Sequence, residues 1–246
     1  MAKSLRADAL NSGTLICSSP YIRHMSQESV IAAPRPAPRA TTATWVGLFV
    51  SLFSMIIIRE IFNPLGANAS ARLTVAKEGC MFLAAAALLW LVKRGEGLSL
   101  RSVGLGTSPW WKSLLWGLVT GAVCFAAVVG LALLTHYGQS SSYLDKLPVS
   151  VVTMVVLRAG TVEELFYRGF AIDRLQAVGL SRPVAIVLPL VIFSVGHWTG
   201  GWANMMIAFA AGALLTAFYL WRKDLVSNMI GHFLVDFVAN VLPRLG

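Results

Sequence analysis

Seven long stretches of this chain are almost wholly apolar, and short polar breaks separate them. They lie at about residues 45–62, 72–92, 111–135, 149–172, 183–198, 202–221 and 225–242. A helix rises ~1.5 Å per residue, so about 20 apolar residues cover the ~30 Å hydrocarbon core of a bilayer. In that solvent every backbone amide must find an internal partner, which leaves helices and closed barrels. The alternating pattern of a barrel strand is absent. The expected fold is therefore all-α, a multi-pass transmembrane helical bundle of about seven helices. The composition agrees: 57% of residues are hydrophobic and 13% charged, against roughly 45–50% and 25% in a soluble domain.

The formal charge of +9 does not indicate nucleic acid, because the basic residues fall between apolar runs rather than on one face. Lys3, Arg6, Arg23, Arg35, Arg39, Lys93, Arg94, Arg101, Lys112, Arg174, Arg182, Arg222 and Lys223 lie before the first segment or in even-numbered loops. Arg59, Arg72, Lys77, Lys146 and Arg244 lie toward the other side. Thirteen against five favours a cytoplasmic N-terminus and an external C-terminus. Tryptophans near the segment ends, among them Trp45, Trp90, Trp110, Trp198 and Trp221, suit the two membrane interfaces. The expected partners are the lipid bilayer and a peptide or protein at the membrane.

Residues 1–43 are rich in Ser, Ala, Pro and Arg and read as a disordered basic tail without a cleavable signal sequence. Residues 44–147 read as N-terminal transmembrane helices and 148–246 as the segment that carries the chemistry. Cys17, Cys80 and Cys124 are isolated and suggest neither a disulfide framework nor a cysteine metal site.

Ionisable residues away from the segment ends are few: Arg158, Glu163, Glu164, Arg168, His232 and Asp236, with His197 where the fifth segment ends. An ionised Asp, Lys or Arg at a helix centre costs roughly 2.5–3.5 kcal/mol if it faces lipid, so these groups are expected to face inward and pair. Glu164 and Arg168 are four apart, on one helical face, and suit an ion pair. Glu163 points about 100° away and is expected to remain free, as a general base would. His232 and Asp236 share the four-residue spacing, as do Phe193 and His197. Taken singly, each has an ordinary structural role open to it: the Glu–Arg pair as a clip, His232 as an interhelical hydrogen bond, Asp236 as its orienter, Phe193 as packing. Together they are the inventory of a hydrolytic centre.

Three blocks in order carry a family resemblance. Glu163-Glu164-LFY-Arg168, Phe193-SVG-His197 and His232-FLV-Asp236 resemble the EExxxR, FxxxH and HxxxN/D motifs of the CPBP family. These are the Abi or CAAX-protease intramembrane proteases, which include the type II CAAX prenyl endopeptidases. The resemblance covers about residues 148–242. It implies that Glu163, helped by His197, activates water, that Glu164 and Arg168 form a structural pair, and that His232 and Asp236 stabilise the oxyanion. An ionised Asp would repel an oxyanion, so Asp236 fits that role only if protonated, or else it orients His232 or joins a metal shell.

The reading is an intramembrane endopeptidase acting on membrane-associated substrates, CAAX-type prenylated ones among the candidates, through a polar cavity bounded by the last four helices. The alternatives are a non-enzymatic bacteriocin-immunity-type membrane protein and a proton-coupled transporter, the latter without visible internal repeats. A Glu–His mechanism without a cofactor is favoured. Zinc is the rival, with His197, His232, Glu163 and Asp236 as candidate ligands but without an HExxH helix. The fifth segment spans only ~22 Å, so His197 is expected to dip into the bundle. The expected location is the bacterial cytoplasmic membrane.

Overall fold

Thr41 opens the first helix through a reciprocal capping box with Thr44, so that two otherwise orphaned amides are bonded. The computed structural model describes residues 40–137 and 143–245, which form seven helical rods and no strand. Helix α1 is Thr42–Phe62 and α2 is Ala71–Trp90, started by the Ser70 side chain and ended by a short π turn, Leu91–Gly95. Helix α3 is Trp110–Thr135. The fourth rod is continuous but changes its winding: α4, Val149–Arg158, passes into a π-helical segment, Ala159–Phe170, and then into α5, Ala171–Ala177. Helices α6, Arg182–Val195, α7, Gly201–Arg222, and α8, Leu225–Asn240, complete the chain. The expected tail, residues 1–43, lies outside the described residues up to position 39, and α1 begins within its last part.

The rods run up and down, and their side-chain bonds tie the ends into two groups. At one end Arg174 bonds Glu96 and Ser102, Thr107 bonds the Lys223 carbonyl, Ser113 bonds Asp224 and Lys223 pairs with Asp173. At the other, Arg59 donates to the Gly196 carbonyl, and Arg244 bonds Leu144 and Asp145. The loops rich in Lys and Arg therefore gather at the first end.

Thr42–Phe62, Ala71–Gly95, Trp110–Thr135, Trp198–Arg222 and Leu225–Arg244 are each long and apolar enough to cross a membrane. The remaining two rods differ in kind. Helix α6 has 14 residues and rises only ~21 Å. The fourth rod carries charge and lies inside: nearly every residue from 162 to 172 is buried. Apolar side chains such as Leu114, Leu115 and Leu118 on α3 and Val184, Val187 and Val191 on α6 are exposed, as lipid contact requires.

Lipid tails are as apolar as leucine, so burying leucine contributes little to helix association in a bilayer; close approach and polar bonds contribute more. Helices α3 and α8 make the most extensive pairing. Gly117 and Gly121 form a small-xxx-small stripe on α3. A β-carbon at Gly117 would lie 2.6 Å from Ile230, and one at Gly231 would lie 3.0 Å from Thr120. The contact fixes α8 next to His232.

Candidate active site

The π-helical segment holds Glu163, Glu164 and Arg168 in the centre of the bundle. Its hydrogen bonds run to the fifth residue rather than the fourth, a winding that is rare in long runs and is often found at functional sites. In an ordinary helix, residues five apart point about 140° away from each other. Here Arg158 Nη1 donates to Glu163 Oε1, five residues on. The expectation that Glu163 stands unpaired is thus corrected: the altered winding brings the arginine round to it. Its other oxygen, Oε2, is buried and has no hydrogen-bond partner among the described residues.

Glu164 is fully buried and accepts from three side chains. Arg168 Nη1 is 3.0 Å from Oε1, His232 Nδ1 is 2.8 Å from the same atom, and Asn228 Nδ2 is 3.2 Å from Oε2. Arg168 also donates to the Gly212 carbonyl at 3.1 Å and to Thr216 at 3.3 Å. An ion pair taken from water is tolerable only when its remaining polar atoms are bonded in this way. The pair joins α7 and α8 to the π-helical segment.

Phe193 is the hub of the site. Its ring lies 5.6 Å from Tyr167, 4.8 Å from His197 and 6.1 Å from His232, and the Arg168 guanidinium stacks on it at 4.4 Å. Its carbonyl bonds His197 Nδ1 at 2.8 Å. A carbonyl can only accept, so Nδ1 is the N–H and Nε2 is left as the acceptor of the neutral ring. The four-residue spacing of Phe193 and His197 makes that bond geometrically natural. His197 itself is only part-buried, beside a 3₁₀ turn, Trp198–Gly200, and Asn204 holds its carbonyl at 3.0 Å.

His232 is oriented at Nδ1 by Glu164, an acceptor, so that Nδ1 carries a proton and Nε2 turns the other way. Asp236 Oδ2 lies 3.6 Å from Nε2, beyond a normal hydrogen bond, and its side chain is 31% exposed. The Phe193 ring borders both His197 and His232, and His232 bonds Glu164, so residues of all three motifs meet. Among the described residues no three His, Cys, Asp or Glu side chains are grouped as a metal site would need. No step is routed through a metal.

Several contributors lie outside the motifs. Asn228 and Thr216 are neutral and carry no signal in a sequence. Arg158 was visible as an intramembrane charge, but 3.6-residue geometry points it away from Glu163. Glu78, on α2, is fully buried and bonds Arg158 at 2.6 Å. Its position early in an apolar run reads as interfacial. With Arg59 of α1 bonded to the carbonyl just before His197, the site reaches beyond the last four helices to α1 and α2.

No curated protein and no solved structure matches the chain. Residues 145–238, the stretch that carries all three motifs, match the family described as Rce1-like, type II CAAX prenyl endopeptidase Rce1-like, and the resemblance read from the motifs is to this family.

Proposed function

We propose that the chain is an intramembrane endopeptidase that hydrolyses a peptide bond of a membrane-associated substrate by means of a water activated by Glu163 and His197. The observation that carries this reading is the Glu163 carboxylate. One oxygen is held by Arg158, and the other is buried and unbonded. A water bonded to Oε2 can lose its proton there as its oxygen attacks the scissile carbonyl carbon. His197, with Nδ1 held by Phe193, offers Nε2 as an acceptor to the same water. His232, whose Nδ1–H is held by the Glu164 carboxylate, acts as the imidazolium, so that its Nε2–H donates to the oxyanion that forms when the carbonyl opens. Collapse of that intermediate breaks the C–N bond, and the proton held by Glu163 passes to the leaving amine. Asp236, beyond bonding distance of Nε2 and partly exposed, is read as a flank of the substrate entry.

The similarity to type II CAAX prenyl endopeptidases makes a prenylated CAAX peptide the first substrate to try. Purified protein in liposomes is expected to cleave a farnesylated CAAX peptide, and Glu163→Gln to lose ~10²-fold or more in rate per folded molecule. Full activity in Glu163→Gln would end the proposal. The mechanism is read as cofactor-free. Elemental analysis with a chelator titration checks this: activity retained in metal-depleted protein is expected, and loss on chelation with recovery on added zinc would reverse it. The membrane is proposed to be the bacterial cytoplasmic one, with the basic loops inside.

A further inference from the structure

Three buried side chains behind Glu163 belong to none of the motifs. Arg158 Nε donates to Glu78 Oε2 at 2.6 Å while its Nη1 donates to Glu163 Oε1. Lys77 Nζ lies 3.5 Å from Glu78 Oε1. All four side chains are at most 10% exposed. They alternate in sign: Lys77, Glu78, Arg158, Glu163. Charge balance alone does not require this row, because Arg158 and Glu163 already neutralise one another. Adding a buried Glu78 creates a new negative charge, which Lys77 must then offset. What the row does supply is direction. A glutamate's terminal torsion is soft and roughly two-fold, whereas a guanidinium is a rigid planar fork. An arginine fixed by one carboxylate fixes the plane of the next.

We propose that Arg158, itself held by Glu78, is a positioning residue for Glu163: it engages Oε1 and so turns Oε2 toward the reacting water. The inference rests on the reading of Glu163 as the general base. It also gives the N-terminal helices a part in the site, since Lys77 and Glu78 lie on α2, outside the segment that matches the Rce1-like family.

The test is the double variant Glu78→Gln/Arg158→Met, compared with each single change. Each single change unbalances the buried row by one charge, whereas the double variant leaves Lys77 and Glu163, of opposite sign, and keeps it neutral, so its folded yield should exceed that of either single variant. Two readouts follow. The first is the Glu163 carboxylate stretch, isolated in the infrared difference spectrum against the same background carrying Glu163→Gln. Its frequency should differ from that of the wild type, because the guanidinium contact is gone. The second is turnover of a farnesylated CAAX peptide, in which kcat should fall by an order of magnitude or more, up to ~10²-fold, with KM unchanged. Arg158→Lys keeps the charge but loses the fork, and should show both effects if the double variant does not fold. An unshifted carboxylate band, or wild-type kcat in the folded double variant, overturns the proposal. The infrared readout needs no substrate. A wild-type protein that cleaves nothing while the band still shifts would therefore refute the peptidase reading and leave the contact between Arg158 and Glu163 standing.

Discussion

Glu163 and Glu164 are adjacent, identical in chemistry and both buried, yet their surroundings assign them different work. Glu164 accepts from Arg168, His232 and Asn228, and nothing of it is left over. Glu163 keeps one oxygen unbonded. Their variants should therefore fail differently. Glu164→Ala leaves Arg168, which is 1% exposed, without its anion, at a cost of about 3–5 kcal/mol. Thermal unfolding of the detergent-solubilised variant is expected to show a clearly lowered midpoint and a reduced folded yield. A midpoint equal to that of wild type would mean the pair is not buried in solution. Glu163→Gln takes away one of the two carboxylates on the buried Arg158 and leaves Glu78, so it should lower the midpoint less than Glu164→Ala does while abolishing turnover. Phe193 supplies the contact between these groups, so Phe193→Leu, which fills most of the volume but has no ring face, should lower activity more than stability.

At the scale of the element, the π-helical segment sets the site. Five-residue pairing turns Arg158 to Glu163, while four-residue pairing keeps Arg168 on Glu164. The segment must also lie against α8, and Gly160 permits that. A β-carbon there would meet Phe233, its backbone nitrogen and Cβ both at 2.8 Å. Backbone cannot swing aside as a long side chain can. Gly160→Val should force α8 away from the segment and with it His232 from Glu164, at about 1–3 kcal/mol or more of overpacking. Reduced thermal stability together with lost turnover would bear this out; a variant that retains both would show that α8 does not sit so close. Gly117, whose β-carbon would meet Ile230 at 2.6 Å, makes the equivalent approach between α3 and α8.

At the scale of the molecule, the two groups of loops give a topology test. The end that gathers Lys93, Arg94, Arg101, Lys112, Arg174, Arg182, Arg222 and Lys223 is expected in the cytoplasm, since translocating such loops is disfavoured. A reporter fused ahead of Thr42 should then read as cytoplasmic and one fused after Gly246 as external. The opposite pair of readings would invert the orientation. In that frame His232 lies about 10 Å in from the cytoplasmic start of α8, and Glu163 midway along its rod.

The sequence by itself determined the helical, membrane-embedded fold, because the length of an apolar run against the thickness of a bilayer is a local quantity. It also singled out candidates for the chemistry, since an ionisable group in the middle of such a run is costly wherever it points. Spacing paired Glu164 with Arg168 and Phe193 with His197, for the partners are one turn apart. Only the tertiary structure decided what faced Glu163. Its partner Arg158 depends on a local change of helical winding, and Glu78, which holds that arginine, comes from 80 residues away. The packing of α3 on α8 at Gly117 and Gly121 was likewise decided only there. Contacts of that kind rest on how separate helices close on one another, and no periodicity within one helix encodes its neighbour.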